Sequence, residues 1–138
     1  MNALLKFFLK IHVFLYRYTK GKIGGKLGNN HILLLNTVGR KSDKSYTTPL
    51  VCVRDGGTYV IIASNGGADR HPGWYYNLRA QEETVIEVMG KIITVTAEEL
   101  TGGERDRLWQ QIVVDHPQFA DYQKKTNRPI PLFRLTPA

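Results

Sequence analysis

The sequence predicts one mainly β domain with a few helices (α+β), a small β-barrel with helical decoration. Thirteen glycines and six prolines in 138 residues punctuate the chain with turns. Short β-branched and apolar runs recur between those turns, twice as hairpins. Helical periodicity is confined to the N-terminus, a short segment after Pro72 and residues 101–115. At ~100–200 residues per domain, this length makes one domain. With 42% hydrophobic and 22% charged residues, the composition is that of a chain that folds. The single cysteine, Cys52, excludes an internal disulfide framework and a cysteine-rich zinc site.

Met1 to Tyr18 has no proline or glycine and reads as an amphipathic helix. On the helical wheel Lys6, Lys10 and Arg17 fall within ~40° of one another. Leu4, Leu5, Phe7, Phe8, Ile11, Phe14, Leu15 and Tyr18 occupy a broad apolar arc. A cationic stripe beside such a face suits a helix lying on an anionic membrane surface. A helix packed on its own domain, with the stripe in water, accounts for the same pattern. Gly21 to Asn30, with four glycines and two asparagines, reads as a linker. The chain therefore divides into an N-terminal unit, 1–30, and a barrel unit, 31–138.

His31–Val38 is an apolar run, expected as a buried strand. Gly39–Tyr46 is a basic polar loop. Thr47–Arg54 alternates and is β-branched, and Asp55-Gly56-Gly57 turns it into Thr58–Ala63. Ser64–Asp69 is a glycine loop, and Pro72 opens a short helix ending near Arg79. Thr84–Met89 and Lys91–Glu98 form a second hairpin around Gly90. Thr101 and Glu104 have capping-box spacing and open a helix to about Asp115. Its Leu108, Trp109, Ile112 and Val113 share one face. Ile130–Leu135 reads as a final strand, with Pro131 arguing for an edge position.

The charge is uneven. Residues 1–44 hold nine Lys or Arg against one acid, and the remainder holds ten against eleven. Anionic lipid, an anionic cofactor or nucleic acid could each use that segment. No aromatic-interleaved basic surface speaks for nucleic acid. No charge-free run of 18 apolar residues speaks for a transmembrane helix. Lys6 and Lys10 interrupt the first apolar stretch and no small-x-small site follows, against a secretory signal peptide. The expectation is a cytoplasmic protein, peripheral on the inner face of the cell membrane through residues 1–20. The four histidines lack HxH or HExxH spacing, so no metal is expected.

Four stretches are candidate sites. Gly39-Arg40-Lys41-Ser42 joins a glycine turn, two cations and a hydroxyl, which together suit a phosphate. Ser64-Asn65-Gly66-Gly67 follows a strand and exposes amides to an anion or a flat ring. His71-Pro72-Gly73-Trp74-Tyr75-Tyr76-Asn77-Leu78 starts a helix at Pro72, so its first amides can meet an anion. Trp74, Tyr75 and Leu78 are equally suited to anchoring that helix in the core. His116–Gln123 reads as an irregular aromatic and polar connection that could cap a pocket. Cys52 reads as a buried small hydrophobe.

Taken in order, "LLLNTVGRKSDKSYTTPLV", "RDGGTYVIIASNGGADRHPGWYYNL" and "HPQFADYQKKTNRPIPLFRL" closely resemble the deazaflavin-dependent nitroreductase and quinone reductase family. The similarity runs over roughly residues 31 to 137 and is most specific from Ala63 to Leu78. It implies an oxidoreductase that uses coenzyme F420, an 8-hydroxy-5-deazaflavin, on a split β-barrel of the FMN/F420-binding type. By resemblance, Arg40, Lys41 and Ser42 hold the cofactor phosphate and acidic tail. Pro49 and Leu50 lie behind the ring, and Ala63, Ser64, Gly66 and Gly67 form the loop beside it. Trp74 and Asn77 belong to the flanking helix, and Tyr122 lines the substrate side.

The chain departs from that pattern. Asp43 stands where glycine is usual, Tyr46 where arginine is frequent and Asn65 where many members have lysine. Lys44 and Arg70 are the candidates to restore the missing charge. His116 and Phe119 replace tyrosines found in some members, against nitroimidazole reduction. The resemblance implies hydride transfer to a quinone, enone or nitroaromatic. Ser64, its loop amides and Tyr122 would then stabilise the acceptor oxygen, and Tyr122 or water would supply the proton. The alternatives are an FMN enzyme on the same barrel, a non-catalytic deazaflavin-binding protein, and a membrane-interaction protein without cofactor.

Overall fold

The apolar run at 31–38 serves two faces at once. In a computed structural model describing residues 2–138, Leu33 and Leu35 point into a barrel core shared with Cys52, Ile61, Ile86 and Leu135. Their neighbours Ile32 and Leu34 point outward and are covered by Val13 and Tyr16 of an N-terminal helix. Both faces are dry, so the strand reads as continuous rather than alternating.

The elements in chain order are α1 (Ala3–Tyr18), β1 (Lys26–Leu27), β2 (Asn30–Val38), β3 (Ser45–Asp55), β4 (Thr58–Ile62), α2 (Gly73–Ala80), β5 (Glu83–Val88), β6 (Lys91–Glu99), α3 (Gly102–Asp115), α4 (Gln118–Lys124) and β7 (Leu132–Pro137). Met1, part of the sequence-predicted helix, lies outside the described residues. All pairings are antiparallel, in the order β2-β3-β4-β7-β6-β5. Pairing of Leu35 with Ile86 joins β5 back to β2 and closes the barrel. The first hairpin turns on Gly56 at φ +62, the second on Met89 and Gly90 at φ +50 and +85. Two positive φ values in a two-residue loop match the right-handed twist of the strands.

Helix α2 plugs the barrel interior with Trp74, Tyr75 and Leu78. Helices α3 and α4 cover the outer face of β4 and β7 through Leu108, Ile112 and Phe119, which pack on Val60, Ile62 and Leu132. Helix α1 is fastened by few residues. The Tyr16 hydroxyl, on a side chain only 1% exposed, lies 3.0 Å from the Ile32 carbonyl and 3.2 Å from the Glu87 carbonyl, and accepts from the Met89 amide at 2.9 Å. Arg17 donates to Glu87 at 2.8 Å and to Thr47 at 3.1 Å. His12 Nε2 lies 2.8 Å from the Gly24 carbonyl.

Five expectations change. Arg17 is engaged within the protein rather than free in the cationic stripe. The Gly21–Asn30 segment is folded: Lys26–Leu27 pairs with β2, and the Gly25 carbonyl accepts from the Ile32 amide at 2.9 Å. The capping box does not form: Thr101 makes no side-chain cap, and the Glu104 carboxylate pairs with Arg134. Residues 118–124 are helical, not irregular. Strand β7 is interior, paired with both β4 and β6. Pro131 precedes its first residue, so the missing N–H costs no ladder bond.

Candidate active site

Four segments, from two stretches of the chain (37–50 and 62–77), meet around a cleft of about 950 Å³. They are the turn after β2, the middle of β3, the loop after β4 and the start of α2.

The turn after β2 is closed by its own backbone. The Gly39 amide donates to the Lys44 carbonyl at 2.8 Å, and the Asp43 amide to the Gly39 carbonyl at 3.0 Å. A Cβ on Gly39 would lie 2.5 Å from Ser42 Oγ and 2.8 Å from the Tyr46 ring, so any other residue here would have to displace those two side chains. Buried Asn77 of α2 fastens this turn from below. Its carbonyl oxygen accepts from the Arg40 amide at 3.1 Å, and its amide nitrogen donates to Thr37 Oγ1 at 3.2 Å. The Arg40 guanidinium lies 4.6 Å from the centre of the Tyr76 ring. Arg40, Lys41 and Ser42 all line the cleft.

The loop after β4 holds three successive residues at positive φ: Asn65 at +48°, Gly66 at +64° and Gly67 at +84°. Such backbone persists only where its surroundings hold it. The Gly67 amide donates to the Ser64 carbonyl at 2.9 Å, and the Asn65 side-chain amide donates to the Arg70 carbonyl at 3.0 Å. Arg128 supplies further bonds from behind, to the carbonyls of Ala63, Ser64 and Ala68. Among the described residues, the Asn65 and Gly66 amides have no protein partner, and both residues face the cleft.

Helix α2 begins at Gly73, with Pro72 at its N-cap making no side-chain bond, and both residues line the cleft. Trp74, 7% exposed, packs edge-on against Phe133 at 6.1 Å and also forms cleft wall, with Leu50 beside it. Core packing and cleft lining are thus one role for Trp74. Arg40, Lys41, Arg70 and His71 line the cleft, and no carboxylate among the described residues does. Burial first, then the Arg128 guanidinium, hold the His71 imidazole below its ordinary range.

Of the sequence-predicted residues, Arg40, Lys41, Ser42, Leu50, Ser64, Gly66, Trp74 and Asn77 come together here. Pro49 sits opposite Leu34 in the β-ladder and does not line the cleft. Ala63 is fully buried beneath the loop, its amide bonded to the Pro131 carbonyl at 2.9 Å. Gly67 is buried against the main chain of Tyr122. Tyr122 does not line the cleft: on α4 it shares a face with Phe119, 5.8 Å away, and lies half-buried against the core under α3. Helical spacing, unforeseen at 118–124, turns that ring inward. His116 is also buried, its Nδ1 lying 2.7 Å from Asn30 Oδ1. Tyr46 and Asn65 do occupy the cleft wall, and Arg70 joins them where Lys44 does not. Sequence reasoning missed Arg128 and the cleft position of Leu5, and gave His71 no role beyond opening a candidate stretch. Nothing in the spacing of Arg128 marks it, because its partners lie some sixty residues away.

A family model described as F420H(2)-dependent quinone reductase matches residues 8–137. The F420H(2)-dependent quinone reductase Rv1261c of Mycobacterium tuberculosis is 42% identical over 132 residues, covering 93% of this chain and 89% of that one. A solved F420-H2 dependent reductase (FDR-A) superposes with a TM-score of 0.68 at 40% identity, over 75% of this chain and 92% of its own. A second solved chain, described as a domain-swapped dimer, superposes with a TM-score of 0.72 at 32% identity, over 96% and 99%. The chain belongs to the F420H(2)-dependent quinone reductases, oxidoreductases that pass a hydride from reduced coenzyme F420 to a quinone.

Proposed function

We propose that the 950 Å³ cleft is where coenzyme F420 and the quinone meet. The observation that carries this reading is the cleft's composition: three permanent cations, two unpartnered loop amides, an indole wall and no carboxylate among its described lining residues. That donor set suits an anionic, flat cofactor. When bound, the reduced deazaflavin supplies a hydride from C5. Arg40, Lys41 and Ser42 hold the phosphate, with Arg70 standing in for the lysine absent at Asn65. The first amides of α2 add to that field. Leu50 and Trp74 flank the ring. Ser64 and the amides of Asn65 and Gly66 donate to the oxygen that gains charge as hydride arrives. Water at the open cleft supplies the following proton, since Tyr122 faces the helix core. A nitroaromatic acceptor would meet the same donors.

We also propose that α1 rests on an anionic membrane surface, residues 1–30 forming the membrane-facing unit and 31–138 the cofactor unit. Helix α1 docks by a narrow strip around Val13 and Tyr16, leaving Leu4, Phe7, Phe8 and Phe14 each more than half exposed. Leu5 reaches the cleft wall, so the free apolar face runs to the cleft mouth. A lipophilic quinone would enter along it. No helix among the described residues is long and apolar enough to cross a membrane.

Fluorescence titration with coenzyme F420 tests the cofactor site, and turnover on quinone and nitroaromatic panels ranks the acceptors. Absence of saturable binding would refute the site. Sedimentation with anionic vesicles tests the surface, and full-length protein that ignores such vesicles at low salt refutes it.

A further inference from the structure

Arg128 lies between α4 and β7, behind the cleft wall, with four of its N–H bonds directed at the site's supports. Its Nε donates to the Ala68 carbonyl at 2.9 Å. One terminal nitrogen donates to the Ser64 carbonyl at 2.8 Å. The other reaches the Ala63 carbonyl and His71 Nδ1, each at 3.2 Å. A guanidinium carries donors and no acceptor. His71 Nδ1 must therefore be the acceptor in this contact, and the ring proton sits on Nε2. Among the described residues, Nε2 has no protein partner, and His71 lines the cleft.

The surroundings of His71 favour the neutral ring. Tyr75 stacks on it at 4.0 Å, tilted by 24°, and Tyr76 meets its edge at 5.8 Å. Burial first, then the charges of Arg128 and Arg79, oppose a charged imidazole, and Glu99 of β6 favours one. The Glu99 carboxylate is itself engaged by the Tyr75 hydroxyl at 3.2 Å.

Resting on the reading of the cleft as the cofactor and quinone site, we propose that Arg128 fixes His71 as the Nε2–H tautomer, and that this N–H is a hydrogen-bond donor to a carbonyl oxygen of the bound deazaflavin or quinone. Arg128 is then a positioning residue, acting through His71 and the Ser64 loop, and His71 touches the ligand. The positive-φ loop and the imidazole are set by one guanidinium, so both sets of cleft donors share one alignment.

Long-range ¹⁵N–¹H correlation spectra of the histidine rings test the tautomer without any ligand, with His71 assigned by its loss in His71→Ala. The expected result at pH 8 is an unprotonated Nδ1 and a protonated Nε2, with a titration midpoint below that of an ordinary histidine. Arg128→Lys keeps the charge but loses the fork. It should mix the tautomers and move the midpoint up, with the circular dichroism of the native fold retained. His71→Ala should weaken one ligand by about three- to tenfold, the effect of losing one hydrogen bond. A change in coenzyme F420 affinity assigns the oxygen to the deazaflavin, and a change in quinone KM alone assigns it to the quinone. A protonated Nδ1 in the wild type overturns the tautomer assignment, and ring shifts unaltered in Arg128→Lys overturn the role of Arg128 in fixing it. Unchanged affinity and KM in His71→Ala overturn the donor role. Wild-type protein with the expected tautomer but no coenzyme binding overturns the donor role through failure of the cleft reading, separately from the tautomer.

Discussion

Replacing Gly67 by alanine separates the loop's two constraints. Gly66 and Gly67 both have positive φ, +64° and +84°, where an L side chain costs roughly 1–2 kcal/mol. Only Gly67 is also hemmed in. A Cβ there would lie 2.6 Å from the Tyr122 carbonyl oxygen and 3.1 Å from Lys125 Cβ, while one on Gly66 would meet nothing within 4 Å. Relieving a backbone clash of this kind adds about 1–3 kcal/mol of overpacking. Gly67→Ala should thus cost roughly 2–5 kcal/mol and Gly66→Ala roughly 1–2. At ~2.1 cal/mol/K per residue, unfolding entropy for this chain is ~0.3 kcal/mol/K, so each kcal/mol lowers Tm by about 3–4 K. Melting followed by circular dichroism should show Gly66→Ala down by roughly 3–7 K and Gly67→Ala by roughly 7–17 K. The displaced Asn65 and Gly66 amides should also lower kcat/KM for a quinone in Gly67→Ala at least tenfold, read in steady-state turnover, if each lost bond is worth ~1 kcal/mol or more. Equal melting points for the two variants would refute the steric argument, and unimpaired quinone turnover by Gly67→Ala would refute the loop's part in the site.

Changing Arg40 and Lys41 together to alanine should weaken coenzyme binding more than tenfold, at ~1.5–3 kcal/mol per charge-assisted contact, and the loss should be larger at low salt. Equal affinity in a titration would remove the phosphate from that turn. Tyr16→Phe leaves the Met89 amide and a carbonyl without their partner, so it should lower stability by about 1–3 kcal/mol in chemical denaturation. An unchanged midpoint would mean that α1 is not fastened there. Glu87 is held below its ordinary range, first by hydrogen bonding from Arg17 and then, against its partial burial, by the Asn36 side-chain amide and the Arg17 charge. Its contribution is therefore full above the ordinary carboxylate pKa and is lost as pH falls through the lower folded value. Because Arg17 is half exposed, that contribution is under ~1 kcal/mol, and Glu87→Gln should flatten the acid limb of a stability-against-pH curve by no more than this.

The barrel was legible because its cues are local. The Asp55-Gly56-Gly57 turn, the Gly90 turn and the β-branched runs each fix a strand from within a few residues. The eight predicted residues that meet in the cleft come from four segments, each marked locally by a glycine turn, a proline or a β-branched run. What stayed hidden depends on distance. Pro131 reads as an edge signal until β7 is seen to start one residue later. Thr101 and Glu104 have the spacing of a cap, but Arg134, thirty residues on, competes for the carboxylate. Phe119 and Tyr122 sit at helical spacing in a segment too short and polar to announce a helix. Arg128 lies in a polar run and acts on carbonyls that no periodicity links to it. Helix α1 was read correctly as amphipathic, yet the face it buries is not its most apolar one.

The interior place of β7 imposes an order on synthesis. On the ribosome, β2 to β6 and both hairpins emerge while β4 and β6 still present unpaired edges to each other across a gap. Only when residues 132–137 appear can the ring of strands close. The Ser64 loop must wait as well, because its clamp, Arg128, emerges immediately before that strand. A nascent chain arrested before residue 128 would have its turn cations but no fixed loop, and two sticky edges open to another copy. Pairings this distant in sequence also form slowly. Competence to take the coenzyme therefore arrives in one step, when residues 128–137 join the ring.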